Sequence, residues 1–153
     1  MTDRTLLPLI LIEQLGDASG RGALIGRTRL VKLVFLAQKE APAAVVDLAG
    51  TAEPYAFWRH YYGPYSNRLL DDMHDLHRRG LIIEDSQALD AWGVVVQWQY
   101  SLTPEGRRVL DPFRTSDAYR TLWREVVRRY GFLKTQRLLQ YVYTRYLQEP
   151  SPA

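Results

Sequence analysis

Residues 29–40 constrain this chain more than any other segment. Leu30, Val31, Leu33, Val34, Phe35 and Ala37 cover most of the circumference of a helix, with Thr28 at its N-cap position and only Arg29, Lys32 and Lys39 on a polar face. A helix that is apolar nearly all round is stable only when it is buried, so the rest of the chain must wrap this one. The 153 residues, 46% hydrophobic and 24% charged, are enough for one such core, and this composition excludes wholesale disorder. We expect one domain over 1–148, with a core over 4–110, a helical extension over 116–147 and a frayed tail over 149–153. Cysteine is absent, which excludes disulfides, thiolate zinc sites and cysteine nucleophiles. The longest apolar run, Leu6 to Ile12, is seven residues and contains Pro8, against about 20 for a membrane span. No leader pattern opens the sequence, and a cytoplasmic protein with no membrane partner is expected.

The remaining elements follow from periodicity and caps. Residues 4–15 read as a first helix and the glycines at 16, 20, 22 and 26 as a loop. Residues 41–54, with two prolines and Gly50, read as an irregular connection, and the aromatic-rich 55–62 as extended chain broken at Gly63-Pro64-Tyr65. Ser66 caps a helix over 67–79 with Leu69, Leu70, Met73 and Leu76 as its buried stripe, and Gly80 suits the left-handed residue that ends it. Leu81-Ile82-Ile83 reads as a short strand, followed by a polar loop and a second strand over 93–101, where Val96, Trp98 and Tyr100 share a face. Thr103, Pro104 and Glu105 then start another helix. Spacing of three and four marks two closing helices over 117–130 and 132–147, interrupted by Gly131.

The segment Gly80-Leu81-Ile82 through Tyr100-Ser101-Leu102-Thr103-Pro104-Glu105-Gly106 resembles the wing and exit of bacterial winged-helix regulators. Arg29-Leu30-Val31-Lys32-Leu33-Val34-Phe35-Leu36, Tyr61-Tyr62-Gly63-Pro64-Tyr65-Ser66 and Leu139-Gln140-Tyr141-Val142-Tyr143 resemble the YwgA-like family of small bacterial proteins. The Gly-Pro element is also similar to the Panacea (SocA-like) antitoxin domain. These resemblances span about 28–146. They imply an α+β, mainly α fold: a winged helix-turn-helix with a β-hairpin wing and two extra C-terminal helices.

Catalytic chemistry is not suggested. The loop from Gly20 to Thr28 lacks the glycine spacing and lysine of a phosphate loop. His74 and His77 lie near Asp71 and Asp75, but no third ligand cluster accompanies them; His77 is expected partly buried and His74 solvated. Asp71, Asp72 and Asp75 read as helix pairing, Arg68 with Asp72 and Asp75 with Arg79, rather than as an acid–base pair. No nucleophile elbow is present. We expect no enzyme, no metal and no cofactor.

Charge directs attention to a polyanion or a protein. Residues 1–102 carry 10 Lys/Arg against 12 Asp/Glu, and 103–153 carry 10 against 5. A winged-helix DNA-binding regulator, in a defence or toxin–antitoxin setting, would contact duplex DNA through Arg27, Arg29, Lys32, Asn67, Arg68 and the arginine stripe Arg120, Arg124 and Arg128. The candidate recognition helix is electrically neutral, however, and the proposed wing over Glu84–Trp92 has three carboxylates and no arginine. The alternative is a non-enzymatic interaction module, antitoxin-like or adaptor, that binds an acidic protein partner through Tyr62, Tyr65, Arg137 and Tyr141. A homodimer suits either role.

Overall fold

The computed structural model describes residues 2–60 and 63–147. Its helices are α1 (Leu6–Ser19), α2 (Arg27–Glu40), α3 (Pro42–Ala49), α4 (Asn67–Arg78), α5 (Pro104–Leu110), α6 (Asp117–Leu122), α7 (Arg128–Tyr130) and α8 (Thr135–Val142). Its strands are β1 (Leu24–Ile25), β2 (Trp58–His60), β3 (Gly63–Tyr65), β4 (Ile82–Ala88) and β5 (Val96–Leu102). The fold is therefore α+β and mainly helical. Two small antiparallel sheets are present, a three-stranded one in the order β1-β5-β4 and the β2–β3 hairpin.

α2 is the inner rod. Every residue from Leu30 to Gln38 is buried, and α1 is buried over Leu6–Gly16. One continuous apolar cluster joins these two helices to Tyr55, α4, Tyr100, α6 and α8. Each fully buried Leu, Ile or Val in it contributes roughly 1.5–3 kcal/mol. Gln38, one of the polar groups carried into this core, is matched at both ends of its amide. Gln38 donates to Tyr55 O at 3.0 Å and accepts from Tyr55 N–H at 2.9 Å.

Four of the expected boundaries are corrected. α1 runs on through Gly16, because that glycine is there for close approach and not to break the helix. The chain turns back over it, and a Cβ at Gly16 would lie 3.0 Å from Ala23 N. α2 begins at Arg27 with Gly26, not Thr28, as its uncapped N-cap residue, at φ 103°. Residues 42–49 form a helix with Pro42 at its first turn and Ala44, Val45 and Leu48 buried, where prolines and alanines suggested irregular chain. Gly63-Pro64-Tyr65 is itself a strand, paired with Trp58–His60. Pro64 is accommodated because a two-stranded hairpin leaves each strand one unpaired edge.

The cap expectations for α4 and α5 agree with the structure. Ser66 Oγ accepts from Leu69 N–H, Gly80 sits at φ 77°, and Thr103 Oγ1 accepts from Gly106 N–H. The ribbon of β4 and β5 is longer than expected, pairing from Ile82↔Leu102 to Ala88↔Val96. The closing helices are each widened by a π turn, at Trp123–Val127 and Tyr143–Leu147. The proposed tail over 149–153 lies outside the described residues.

Candidate functional site: a cationic pocket beside an apolar ribbon

Most arginines of this chain serve its own carboxylates. Buried Glu13 receives Arg114 at 2.7 Å, Arg107 at 3.4 Å and the Tyr119 hydroxyl at 2.7 Å. Glu40 accepts from the hydroxyls of Tyr130, Tyr141 and Tyr146, which pins the two closing helices to the end of α2. Tyr141 is thereby half-buried and stacked 4.8 Å from Tyr130, where an outward partner-binding position was expected. Asp72 is gripped by Arg4 through two bonds of 2.7 and 3.0 Å and by the Tyr55 hydroxyl at 2.7 Å. Arg4 is its bonded partner, and Arg68 adds only a longer-range attraction. Burial alone would raise the Asp72 carboxyl, but the bonds from Arg4 and Tyr55 outweigh burial and hold it below the usual carboxylate range.

The other candidate cations divide in two. Arg120 pairs with Asp117 and Arg124 with Glu125, so two members of the expected stripe are neutralised locally. Arg128 and Arg137 are exposed and, among the described residues, join no carboxylate, as is also true of Arg68. Asn67 and Arg68 stand together at the exposed start of α4. Tyr65 is half-buried against Trp58, with ring centroids 5.6 Å apart, and Tyr62 lies outside the described residues.

Arg27, Arg29 and Lys32 converge on a pocket of about 360 Å³ between the start of α2, β3, β5 and the start of α8. The Arg27 guanidinium lies 3.7 Å over the Trp98 ring, donates to Tyr100 Oη at 3.0 Å and sits 3.7 Å from the Glu84 carboxylate. Arg29 donates to Gly131 O at 3.0 Å and Thr135 Oγ1 at 3.3 Å, and burial lowers its pKa. Lys32 is only 2% exposed, contrary to its expected place on a polar face. Its Nζ donates to Pro64 O at 3.0 Å, and burial pulls its pKa down to about 8. Gly63 makes room for it. At φ 102° the residue adopts a conformation natural to glycine, and a Cβ there would lie 3.0 Å from Lys32 Cε. Among the described residues neither Arg29 nor Lys32 is ion-paired.

The ribbon differs from its expected acidic character. Glu84 is 8% exposed between Arg27 and His74. Asp85 accepts from Ser86 N–H and Gln99 Nε2. Asp90 accepts from the N–H groups of Val94 and Val95 at 2.9 and 3.2 Å and so builds the turn. Asp85 and Asp90 are thus drawn into the chain's own bonds, Glu84 is packed between Arg27 and His74, and the most exposed side chains of the tip are apolar. Trp92 is 85% and Val94 79% exposed, with Leu89 and Val95 more than half exposed. The run Trp92-Gly93-Val94-Val95-Val96 carried that signal in the sequence, but it read as the start of a strand. β5 in fact begins at Val96.

His77 is exposed rather than partly buried, and its Nδ1 accepts from Glu84 N–H at 3.1 Å. Among the described residues no three His, Asp or Glu side chains come together as a metal site, and no helix is long and apolar enough to cross a membrane.

Over 94 residues the chain is 34% identical to the uncharacterized protein YwgA of Bacillus subtilis (strain 168), a match covering 61% of this chain and 49% of that protein. The chain thus spans about half the length of the curated relative it matches. The match fits the resemblance to YwgA-like proteins. No family model matches the chain.

Proposed function

We propose that this chain is a protein-interaction module on a winged-helix-type scaffold, with the β4–β5 ribbon as its recognition element. The order α1, β1, α2, α4 and the β4–β5 ribbon, with α3 and the β2–β3 pair inserted before α4, supports that scaffold, as does β1 pairing on the outer edge of β5. The observation that carries the interaction reading is the ribbon tip. Four apolar side chains, Leu89, Trp92, Val94 and Val95, are spent on solvent there. Clustered exposed apolar residues of this kind mark binding surfaces, and tryptophan is enriched among residues that dominate interface energy. From Ile82 to Leu102 there is no Lys or Arg. The exposed tip therefore fits a protein that offers an apolar groove. An antitoxin-like or adaptor role fits this surface, and no catalytic step is assigned to it.

One observation favours the second reading, a DNA-binding regulator. Asn67 and Arg68 stand exposed at the N-terminal end of α4, the end that meets base edges when such a helix enters the major groove. Fluorescence anisotropy on labelled duplex DNA separates the two. A protein making 6–10 phosphate contacts loses roughly 10³–10⁵ in affinity between about 50 and about 200 mM salt. The interaction module shows no binding above background at the lower salt, and saturable binding that weakens steeply with salt overturns it.

A further inference from the structure

We propose that the pocket formed by Arg27, Arg29 and Lys32 binds a small organic anion, a phosphate or carboxylate carried on a flat apolar body. The cavity is built for both halves of such a molecule. Its apolar side is made by Val31 of α2 with Leu89, Val96 and Trp98 of the ribbon. Its polar side is made by Arg29 and Lys32, three residues apart on one helix and so on one face. Like charges on one face repel, and each is desolvated. Glu84 answers Arg27, but among the described residues no carboxylate answers the other two. Lys32 is buried with three N–H donors and one acceptor, the neutral Pro64 carbonyl. An unpaired buried cation is costly, and an anion in the pocket removes that cost.

The start of α2 adds to this. It is a helix of 14 residues whose N-cap is Gly26, without a side chain to cap the first turn. The N–H groups there are suited to an anion. The Arg27 guanidinium covers a face of Trp98 at 3.7 Å, so the stacked pair walls the pocket on the ribbon side and the planar guanidinium suits a flat body. A ligand here touches α2 and the ribbon at once and fixes one against the other. The pocket shares Leu89 with the ribbon tip but not Trp92, Val94 or Val95, so substitutions at those three test the interaction reading apart from this site.

The test uses the full chain with phenyl phosphate, benzoate and inorganic phosphate as probes, read by thermal shift and tryptophan quenching. Phenyl phosphate should raise Tm saturably at millimolar concentrations, as any ligand that binds only the folded state does. Inorganic phosphate should bind at least about tenfold more weakly, because it lacks the apolar body. Lys32→Met and Arg29→Gln should each weaken phenyl phosphate by about tenfold or more. Trp92→Ser, outside the pocket, and Arg137→Gln, a distant exposed cation, should bind it as the unchanged chain does. Circular dichroism verifies the fold of each variant, and Arg29→Gln decides the matter if Lys32→Met does not fold. No saturable shift with phenyl phosphate or benzoate overturns the proposal. So does equal affinity for inorganic phosphate, or binding that survives both pocket substitutions.

Discussion

Replacing Lys32 with methionine should make this protein more stable at neutral pH. The side chain is 2% exposed and, among the described residues, its ammonium has one neutral acceptor. Burial moves its pKa from 10.5 to about 8. Each pH unit is worth about 1.4 kcal/mol, so the folded state carries a penalty of at most about 3.5 kcal/mol while the lysine is protonated. Residual solvation lowers that figure, and losing the bond to Pro64 O gives back about 1 kcal/mol. Methionine fills nearly the same volume. The net gain is about 1–2 kcal/mol at pH 7, read as a higher urea midpoint at unchanged slope. The pH dependence has a defined sign. For a base whose folded pKa is lowered, the penalty is full below about 8 and fades as pH rises toward the unfolded value. The advantage of Lys32→Met over the unchanged chain should therefore shrink between about pH 8 and about pH 10.5. A variant that is less stable at pH 7, or a gap that does not change across that range, refutes the picture of an unanswered buried cation.

Three further outcomes follow from the buried carboxylates and a close glycine. Glu40→Gln leaves one acceptor oxygen where the carboxylate has two, so Tyr130, Tyr141 and Tyr146 can no longer all donate to it as they do; we expect a loss of about 2–4 kcal/mol and faster amide exchange over 135–147. Asp72→Asn breaks the Arg4–Tyr55 clasp at the start of α1. Because the folded Asp72 carboxyl lies below its ordinary value, that contribution is present above about pH 4 and is lost as pH falls below it. Calorimetry should show the gap to Asp72→Asn closing in acid. Gly106→Ala would set a Cβ on the Leu81 carbonyl oxygen, and a loss above about 3 kcal/mol in chemical denaturation is expected.

The sequence was most legible where one residue type has one physical use. Ser66, Thr103 and Gly80 sit where their caps and turn require, and the six apolar residues of α2 are all buried. It was least legible where long-range partners decide. Gly16 reads as a breaker by propensity, yet the packing of Gly22 and Ala23 over it makes it part of α1. Lys32 reads as surface because lysine seldom stays buried, and Gly63 and Pro64 of β3, about 30 residues on in the chain, pack over it. Tyr141 shows a polar face by helical spacing, but Glu40 from α2 turns that face inward. The ribbon misled by counting charge, since Asp85 and Asp90 are occupied by the chain's own donors and Glu84 is packed beside Arg27. The pocket was named only in part, as three cations without the aromatic wall of Trp98.

The central claim is that the ribbon tip, and not the arginine surface, meets the partner. A photo-crosslinking residue placed at position 92, with a second version at position 68, tests it most directly in nuclease-treated cells. The account predicts one defined, mass-identified protein adduct from position 92, abolished by Val94→Ser and Val95→Ser together, and none from position 68. Adducts formed from position 68 alone, and made of nucleic acid when nuclease is omitted, would contradict it.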